Sequence, residues 1–497
     1  MDIIMKRSIK YIAAIFASFS LWACNGFLQE DPATLTTQAE LSSPEAARAL
    51  ATSIYANVNV VATGSGGWGG NTLSLLEFMT GKADGVAQTE AFRFNQLTYD
   101  SQSFYIDTYW LQLYQGILRC NVAIEQLPRY TALSQQQLND YLAEARTMRA
   151  FYYFYLVRMY GDVPKLTEPV RTLADVNTPR SPAKEVYDEI IIPDLLFAES
   201  SSLAWRRPNG EVSKGFIKAL LADVYLTYAG HPISGGQTAY VESARRSKEI
   251  VDLKGSTFDL FPEYTDMILP ANKNSREFIF QVQFDKINRN NPLTPVALPT
   301  FAGISVYSNE FGGLVPRFEF LDSFDPNDKR IKEKQFFISE FNGRQLGGRF
   351  IYKWFDHVAV TQDARSELNF TIYRLADVML MYAEASNRAE GAPNALAVQC
   401  VNEIRERAEL APISAMGVNA FEEEVWNQRY FELCFEGKLW FDMLRTRKVR
   451  NDITKAYDDF VGHRNVFNAT FAERQLRFPI PLREIDVNAA LTQNPGF

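Results

Sequence analysis

The chain has 497 residues, 46% apolar and 13% aromatic, and its 51 basic against 59 acidic side chains give a formal net charge of −8 at pH 7. That balance argues against a nucleic-acid-binding surface, which needs a basic stripe to meet phosphates. Length alone suggests about three domains, yet no Ser/Gly-rich linker or long charge run divides the sequence, and its apolar content suffices for one large helical body.

At the N-terminus Lys6, Arg7 and Lys10 precede an apolar run, Tyr11 to Trp22, too short to span a bilayer as a helix. A basic segment, a short apolar core and small residues before a cut are the pattern of a secretory signal. Leu21-Trp-Ala-Cys24 resembles the bacterial lipobox, with bulky Trp22 as its departure. The expectation is that residues 1–23 are removed and Cys24 is acylated, tethering the chain to a membrane without spanning it. Cys120, Cys400 and Cys434 then remain; an odd number excludes a fully paired disulfide framework, and buried thiols are expected.

Beyond the anchor, helical spacing predicts a first helix over 44–60. Gly64-Ser-Gly-Gly-Trp68-Gly-Gly-Asn71 follows, a tryptophan in a glycine-rich loop. No Lys-Ser/Thr completes a phosphate loop. An indole that stacks on the C–H face of a sugar, with Asn71 meeting hydroxyls, fits the composition; the alternative is that Trp68 plugs a gap over the first helices. Asp84, in Gly81-Lys-Ala-Asp84-Gly85, is a further candidate contact, with turn capping as its alternative. Helices are predicted at 104–127 and from a capping box, Ser134-Gln-Gln-Gln137, to a Gly161 cap before Pro164. Others follow at 183–200, 213–229 and 239–252.

Residues 255–370 read differently, with β-prone runs such as Phe278-Ile-Phe-Gln-Val-Gln-Phe284 among Gly, Pro and Asn turns. Here Phe301 to Phe311, with Tyr307 and Asn309, and Arg349-Phe-Ile-Tyr352-Lys-Trp354-Phe-Asp356 offer aromatic side chains to a ligand. Alternation in the second run suggests a strand that exposes only one of Tyr352 and Trp354. Helices resume at 372–389, 394–409, 421–435 and 437–448. Ala222-Asp-Val-Tyr-Leu-Thr-Tyr-Ala229 matches Ala376-Asp-Val-Met-Leu-Met-Tyr-Ala383, and Glu249-Ile250 matches Glu403-Ile404 at the same offset. Each unit is a helix hairpin on the tetratricopeptide scale, which buries its apolar face only by stacking. The predicted fold is therefore mostly α: helix-pair repeats over about 40–252 and 370–450 stacked right-handedly, with a loop-rich, partly β insertion over about 255–370.

Several further runs mark a family. They are Cys24-x-x-Phe-Leu-x-x-x-Pro32, Glu144-Ala-Arg-x-x-Arg149 leading to Arg158-Met-Tyr-Gly-Asp-Val-Pro164, Gly215-Phe-Ile-Lys-Ala-Leu-Leu-Ala222, Arg374-Leu-Ala-Asp-Val-Met-Leu-Met-Tyr-Ala-Glu-Ala385 and Val401-Asn-x-Ile-Arg-x-Arg-Ala408. Glu432-Leu-x-Phe-Glu-Gly437, Trp440-Phe-Asp-Met-Leu-Arg445 and Gln493-Asn-Pro-Gly-Phe497 close the chain. From Cys24 to Phe497 the sequence resembles the SusD/RagB family of outer-membrane nutrient-binding lipoproteins, with Gln428 replacing a usual acidic residue. The resemblance implies a single SusD-like domain over 24–497, anchored at the cell surface. It would act as a lid on a SusC-like TonB-dependent transporter and catch an oligosaccharide or a peptide. It also implies that Arg146, Arg149, Glu144, Asp377, Glu384, Arg405, Arg429, Glu432 and Glu436 are scaffold residues, and a buried charge on such a helix persists only when paired.

Catalytic chemistry is thin. His231, His357 and His463 have no metal-ligand spacing, and no nucleophile elbow or Walker loop occurs. Asp322-Ser-Phe-Asp325-Pro-Asn327-Asp328 lacks the glycine and terminal glutamate of a calcium loop and reads as a turn. The expectation is a binding protein, not an enzyme, with no cofactor or metal. The alternative class is an envelope repeat scaffold that binds only protein.

Overall fold

A computed structural model describes residues 41–63, 72–85, 89–90, 92–172, 175, 177–300, 302–310, 312–414 and 416–497. The expected signal segment, Cys24, Trp68 and Asn71 lie outside these residues. Helix α1 (Pro44–Ser53) starts from a Ser43 cap with proline in its first turn. It stops at Ser53, short of the expected residue 60, and the β-branched run behind it forms a 3₁₀ turn over Val58–Val61. Helix α2 (Thr72–Met79) leads into the short strand β1 (Ala83–Asp84).

Two long helices come next, α3 (Phe104–Gln126) and α4 (Gln135–Tyr160). Both bonds of the Ser134/Gln137 capping box form, and Gly161 closes α4 at φ 75°. The helices pack closely at Gly116, where a Cβ would lie 2.6 Å from the Tyr152 ring. Residues 183–200 continue the pattern with a π turn, Tyr187–Ile191, in the middle.

The repeated hairpins are α5 (Lys214–Ala229) with α6 (Gly236–Val251), and α7 (Leu375–Glu390) with α8 (Ala395–Arg407). Helix α6 packs along α7, so the second hairpin stacks on the first although the whole insertion separates them in sequence. Helices α9 (Val418–Glu432) and α10 (Leu439–Thr446) complete the stack, α9 against α7 and α10 against α2. One apolar core runs from Ala51 to Leu491, and the three cysteines beyond the N-terminus are buried free thiols within it.

The insertion enters and leaves through one antiparallel pair, β2 (Phe278–Val282) with β6 (Phe370–Arg374). Residues 372–374, expected to be helical, thus belong to this strand. Between them lie β3 (Val315–Pro316), paired with β1, and the hairpin of β4 (Phe337–Phe341) with β5 (Arg344–Ile351).

At the junction of insertion and stack sits a buried ion network. Glu432 accepts from Arg374 (2.7 Å) and Arg407 (2.8 Å) and faces Arg330 (3.3 Å); Arg374 also reaches Glu277 (2.8 Å) and Glu436 (2.9 Å). Burial alone would raise the Glu432 pKa, but Arg407, Arg374 and Arg330 hold it well below the carboxylate range. Every member of the predicted scaffold set is paired: Arg146 and Arg149 with Asp194, Glu144 with Arg207, Glu384 with Arg445, Arg405 with Glu424, and Asp377 with Arg429 and Lys438. Gln428 donates to Glu424, so an amide hydrogen bond stands where the family's charge would be. Asp328 caps a 3₁₀ turn and binds Arg330, which makes the calcium-like run a structural turn.

Candidate ligand-binding site

The expected contacts within the described residues gather around β1, β3 and the β4–β5 hairpin. Strand β1 hydrogen-bonds to β3, and β3 packs on β5. Over the hairpin lies the loop segment 302–310, beside a small second core of Leu298, Ile338, Phe341, Phe355 and Val360. Tyr307 and Tyr352 both pack against this core from its half-buried rim, and Tyr352 stacks on Phe355 with ring centroids 5.0 Å apart. Burial raises both phenol pKa values, so both stay neutral hydrogen-bonding groups. Asn309 is half-buried two residues further on.

Glu310, which sequence reasoning passed over, sets this loop's shape. Its carboxylate accepts the backbone N–H groups of Gly303 (2.7 Å), Ile304 (3.1 Å) and Ser305 (2.9 Å) and the Ser305 hydroxyl (2.8 Å). Charge-assisted bonds of this kind are about twice as strong as neutral ones.

Trp354 leaves the set of exposed candidates. The strand expected to run through it ends at Ile351, and the chain turns at Tyr352, whose carbonyl accepts from Phe355 N–H (2.9 Å). The turn carries the indole inward, where it is 5% exposed and near Phe370. Lys353 beside it ties the insertion to the stack, donating to the carbonyls of Glu432 (2.8 Å) and Cys434 (3.0 Å) and to Glu436 (2.6 Å).

The Gly85 N–H behind Asp84 donates to the Asn95 side chain at 2.9 Å. Among the described residues, both Asp84 carboxylate oxygens accept from one Arg317 nitrogen (3.2 and 3.1 Å), while the same guanidinium forks onto Glu319. Burial pushes the Asp84 pKa up, with Arg317 opposing. Arg317 also lies over the rings of Phe318 (5.2 Å) and Phe467 (5.3 Å), and Phe318 is 61% exposed. A long apolar ring left in water beside a fixed cation is a ready stacking platform.

Next to it opens a cleft of about 300 Å³ lined by Lys82, Glu319, Asp452, Ile453, Arg464 and Asn468, among others. Its floor is built from charges: Lys82 and Arg450 share Asp452 (2.9 and 3.4 Å), and Lys82 sits 4.6 Å over the Tyr430 ring. Burial lowers the Lys82 pKa, and Arg450 adds to it against Asp452. Asn451 and Asn465 shape the walls by accepting backbone N–H groups of their own loops. Phe318 and this cleft escaped the sequence reading, because residues from four distant segments meet there without a shared motif. Among the described residues, no group of three or more His, Cys, Asp or Glu is arranged to hold a metal ion, and no helix is long and apolar enough to cross a membrane.

Two family models match the chain, that of the SusD family over residues 339–497 and one described as starch-binding, associating with outer membrane, over residues 35–226. A solved SusD superfamily protein from Parabacteroides distasonis is 47% identical, with a TM-score of 0.88 over 91% of this chain and 99% of that one. A laminarin binding SusD-like protein (23% identical, TM-score 0.75) and surface glycan-binding protein A from Bacteroides uniformis (21%, 0.75) share the fold over 92% and 91% of this chain and 100% and 99% of theirs. A SusD-like protein of Formosa agariphila is 22% identical over 97% of both chains. With its stacked helix pairs, its loop-rich insertion and a 47% identical relative along nearly its whole length, the chain belongs to the SusD/RagB family.

Proposed function

We propose that this protein is a cell-surface lipoprotein that binds an oligosaccharide and delivers it to a SusC-like TonB-dependent outer-membrane transporter, and that it performs no catalysis. Residues 24–497 act as one domain, held to the outer membrane through acylated Cys24. The observation that carries the binding role is the exposed Phe318 platform beside the polar 300 Å³ cleft, with Asp84, Arg317 and Glu319 fixed between them. A sugar presents an apolar C–H face and a rim of hydroxyls, and an aromatic ring next to fixed amides, carboxylates and cations answers both. Trp68, Asn71, Tyr307, Asn309 and Tyr352 would extend the same surface. Two proteins of this fold carry glycan binding in their names, for laminarin in one case, which supports a carbohydrate over a peptide.

Affinity electrophoresis and calorimetry against laminarin, starch and other soluble glycans test this reading. Phe318→Ala should lower affinity for the bound glycan tenfold or more with an unchanged melting temperature, since Phe318 is 61% exposed and packs little. Unchanged affinity in Phe318→Ala, Trp68→Ala and Tyr352→Ala would refute the site. Absence of any glycan binding, with a soluble protein partner captured instead of a β-barrel, would favour a repeat scaffold.

A further inference from the structure

Away from that surface, the helical stack encloses a second cleft of unusual charge. It lies where the C-terminal ends of α4 and α10 meet the turn of the α5–α6 hairpin, and its volume is about 40 Å³. Arg158, His231, Arg445, Arg447 and Arg477 line it, and no carboxylate does. Two of these cations are neutralised elsewhere. Arg158 faces Asp223 at 3.7 Å between the rings of Phe154 and Phe441, and Arg445 is held by Glu384 and Asp442. The nearby Asp162 carboxylate accepts from Ala183 N–H.

Arg447 and Arg477 have no such partner: none of the described carboxylates lies within ion-pair distance of either. Arg447 donates to the Leu444 carbonyl (2.8 Å) at the end of α10 and sits in the left-handed region at φ 57°. A non-glycine residue held there costs about 1 kcal/mol or more. Arg477 crosses Gly161 at the end of α4 so closely that a Cβ would come within 2.9 Å of its side chain and push it aside. Helix C-termini offset part of a positive charge, roughly half an elementary charge each, and leave the rest. The strain shows in the neighbours: burial and then Arg477 lower the pKa of Arg447, and burial and then Arg447 lower that of His231. Most guanidinium donors of the two arginines have no acceptor among the described residues.

We propose that this cleft is an oxyanion site that takes a phosphate group, with Arg447 and Arg477 as its principal donors. Size and chemistry agree. At about 10–15 Å³ per water on the same measure, the space suits a tetrahedral oxyanion and excludes a sugar ring, which separates it from the glycan surface. Two planar, permanently charged forks suit phosphate oxygens better than any neutral ligand. The phosphate is either free or carried by a lipid headgroup.

The test uses the full chain carrying Cys24→Ser, so that no acyl group contributes. Calorimetry with inorganic phosphate should show one saturable site, weakened tenfold or more by Arg477→Gln and by Arg447→Gln, and less by Arg477→Lys. Without phosphate, Arg477→Gln should melt no lower than the parent, because the substitution relieves repulsion; that controls for misfolding. Flotation with phosphatidylglycerol vesicles that depends on Arg477 assigns the phosphate to a lipid, and phosphate binding without such flotation assigns it to the free anion. No saturable phosphate binding, or binding as tight as the parent's in both glutamine variants, overturns the proposal.

Discussion

Glu77 offers a sharp test of the electrostatics at the α2–α10 contact. Its carboxylate is 1% exposed and accepts the Gly437 N–H at 3.0 Å. Burial raises its pKa from 4.5 to about 7, more than the Gly437 bond, Lys353 and Lys82 can offset. Below pH 4.5 the carboxyl is protonated in both the folded and unfolded states and contributes no slope. Between pH 4.5 and 7 the unfolded chain has lost the proton that the folded chain keeps, so stability falls as pH rises; above 7 both are ionised and the slope ends. At about 1.4 kcal/mol per pH unit the total is about 3 kcal/mol. Glu77→Gln keeps the acceptor for Gly437 and removes the titration. Equilibrium urea unfolding of both proteins at pH 5 and pH 8 isolates the effect, because every other group, including His231 and His463, titrates alike in the two and cancels. The variant should lose about 3 kcal/mol less than the parent on going from pH 5 to pH 8. Equal losses in the two proteins would show that the buried carboxylate is paired or hydrated in a way the structure does not contain, and the reasoning would fail.

Asp377 behaves in the opposite sense. Against the upward push of burial, Lys438 and Arg429 hold its pKa down from 3.8 to about 2, so it contributes about 2 kcal/mol above pH 4 that is lost as pH falls through 2; acid unfolding of Asp377→Asn should lack that component. Gly116→Ala should destabilise by about 1–3 kcal/mol through overpacking against Tyr152, measured by urea unfolding, and a neutral result would mean α3 and α4 are further apart than described. Glu310→Ala should speed amide exchange at Gly303, Ile304 and Ser305 by tenfold or more, since each loses a charged acceptor worth about 1.5–3 kcal/mol. Protection unchanged at those three amides would count against Glu310 as the latch of the loop.

Much of the helical stack was readable in the residues, since period, caps and repeat offset agree there: Ser134, Gln137 and Gly161 occupy the cap positions their chemistry predicts. Helix α2 was not, because Thr72-Leu-Ser-Leu-Leu-Glu-Phe-Met79 is apolar on most sides and carries no periodic contrast. In the insertion the failures are instructive. Alternation suggested a strand through Trp354 that exposes only one of Tyr352 and Trp354; alternation carries no information about where a strand stops, and it is the turn at Tyr352 that leaves Tyr352 at the rim and Trp354 buried. Asp84 was legible as a polar group at a turn, yet its partner Arg317 lies just after β3, far along the sequence. The Glu310 latch reaches backbone groups five to seven residues away, a pattern with no side-chain signature.

The pairing of β2 with β6 has a consequence for how such a chain diversifies. Because the insertion enters and leaves through adjacent strands, with Arg330 and Lys353 as further ties to the end of α9, α6 and α7 find each other through their own faces. Loop closure grows only logarithmically with length, about 0.6 kcal/mol per doubling. An insert of quite different size and side-chain chemistry can therefore hang from the same clasp at almost constant foldability, provided it keeps an Arg374 and a Lys353 to dock into the acidic sockets of α9. Recognition is then free to drift quickly while the helical chassis stays still.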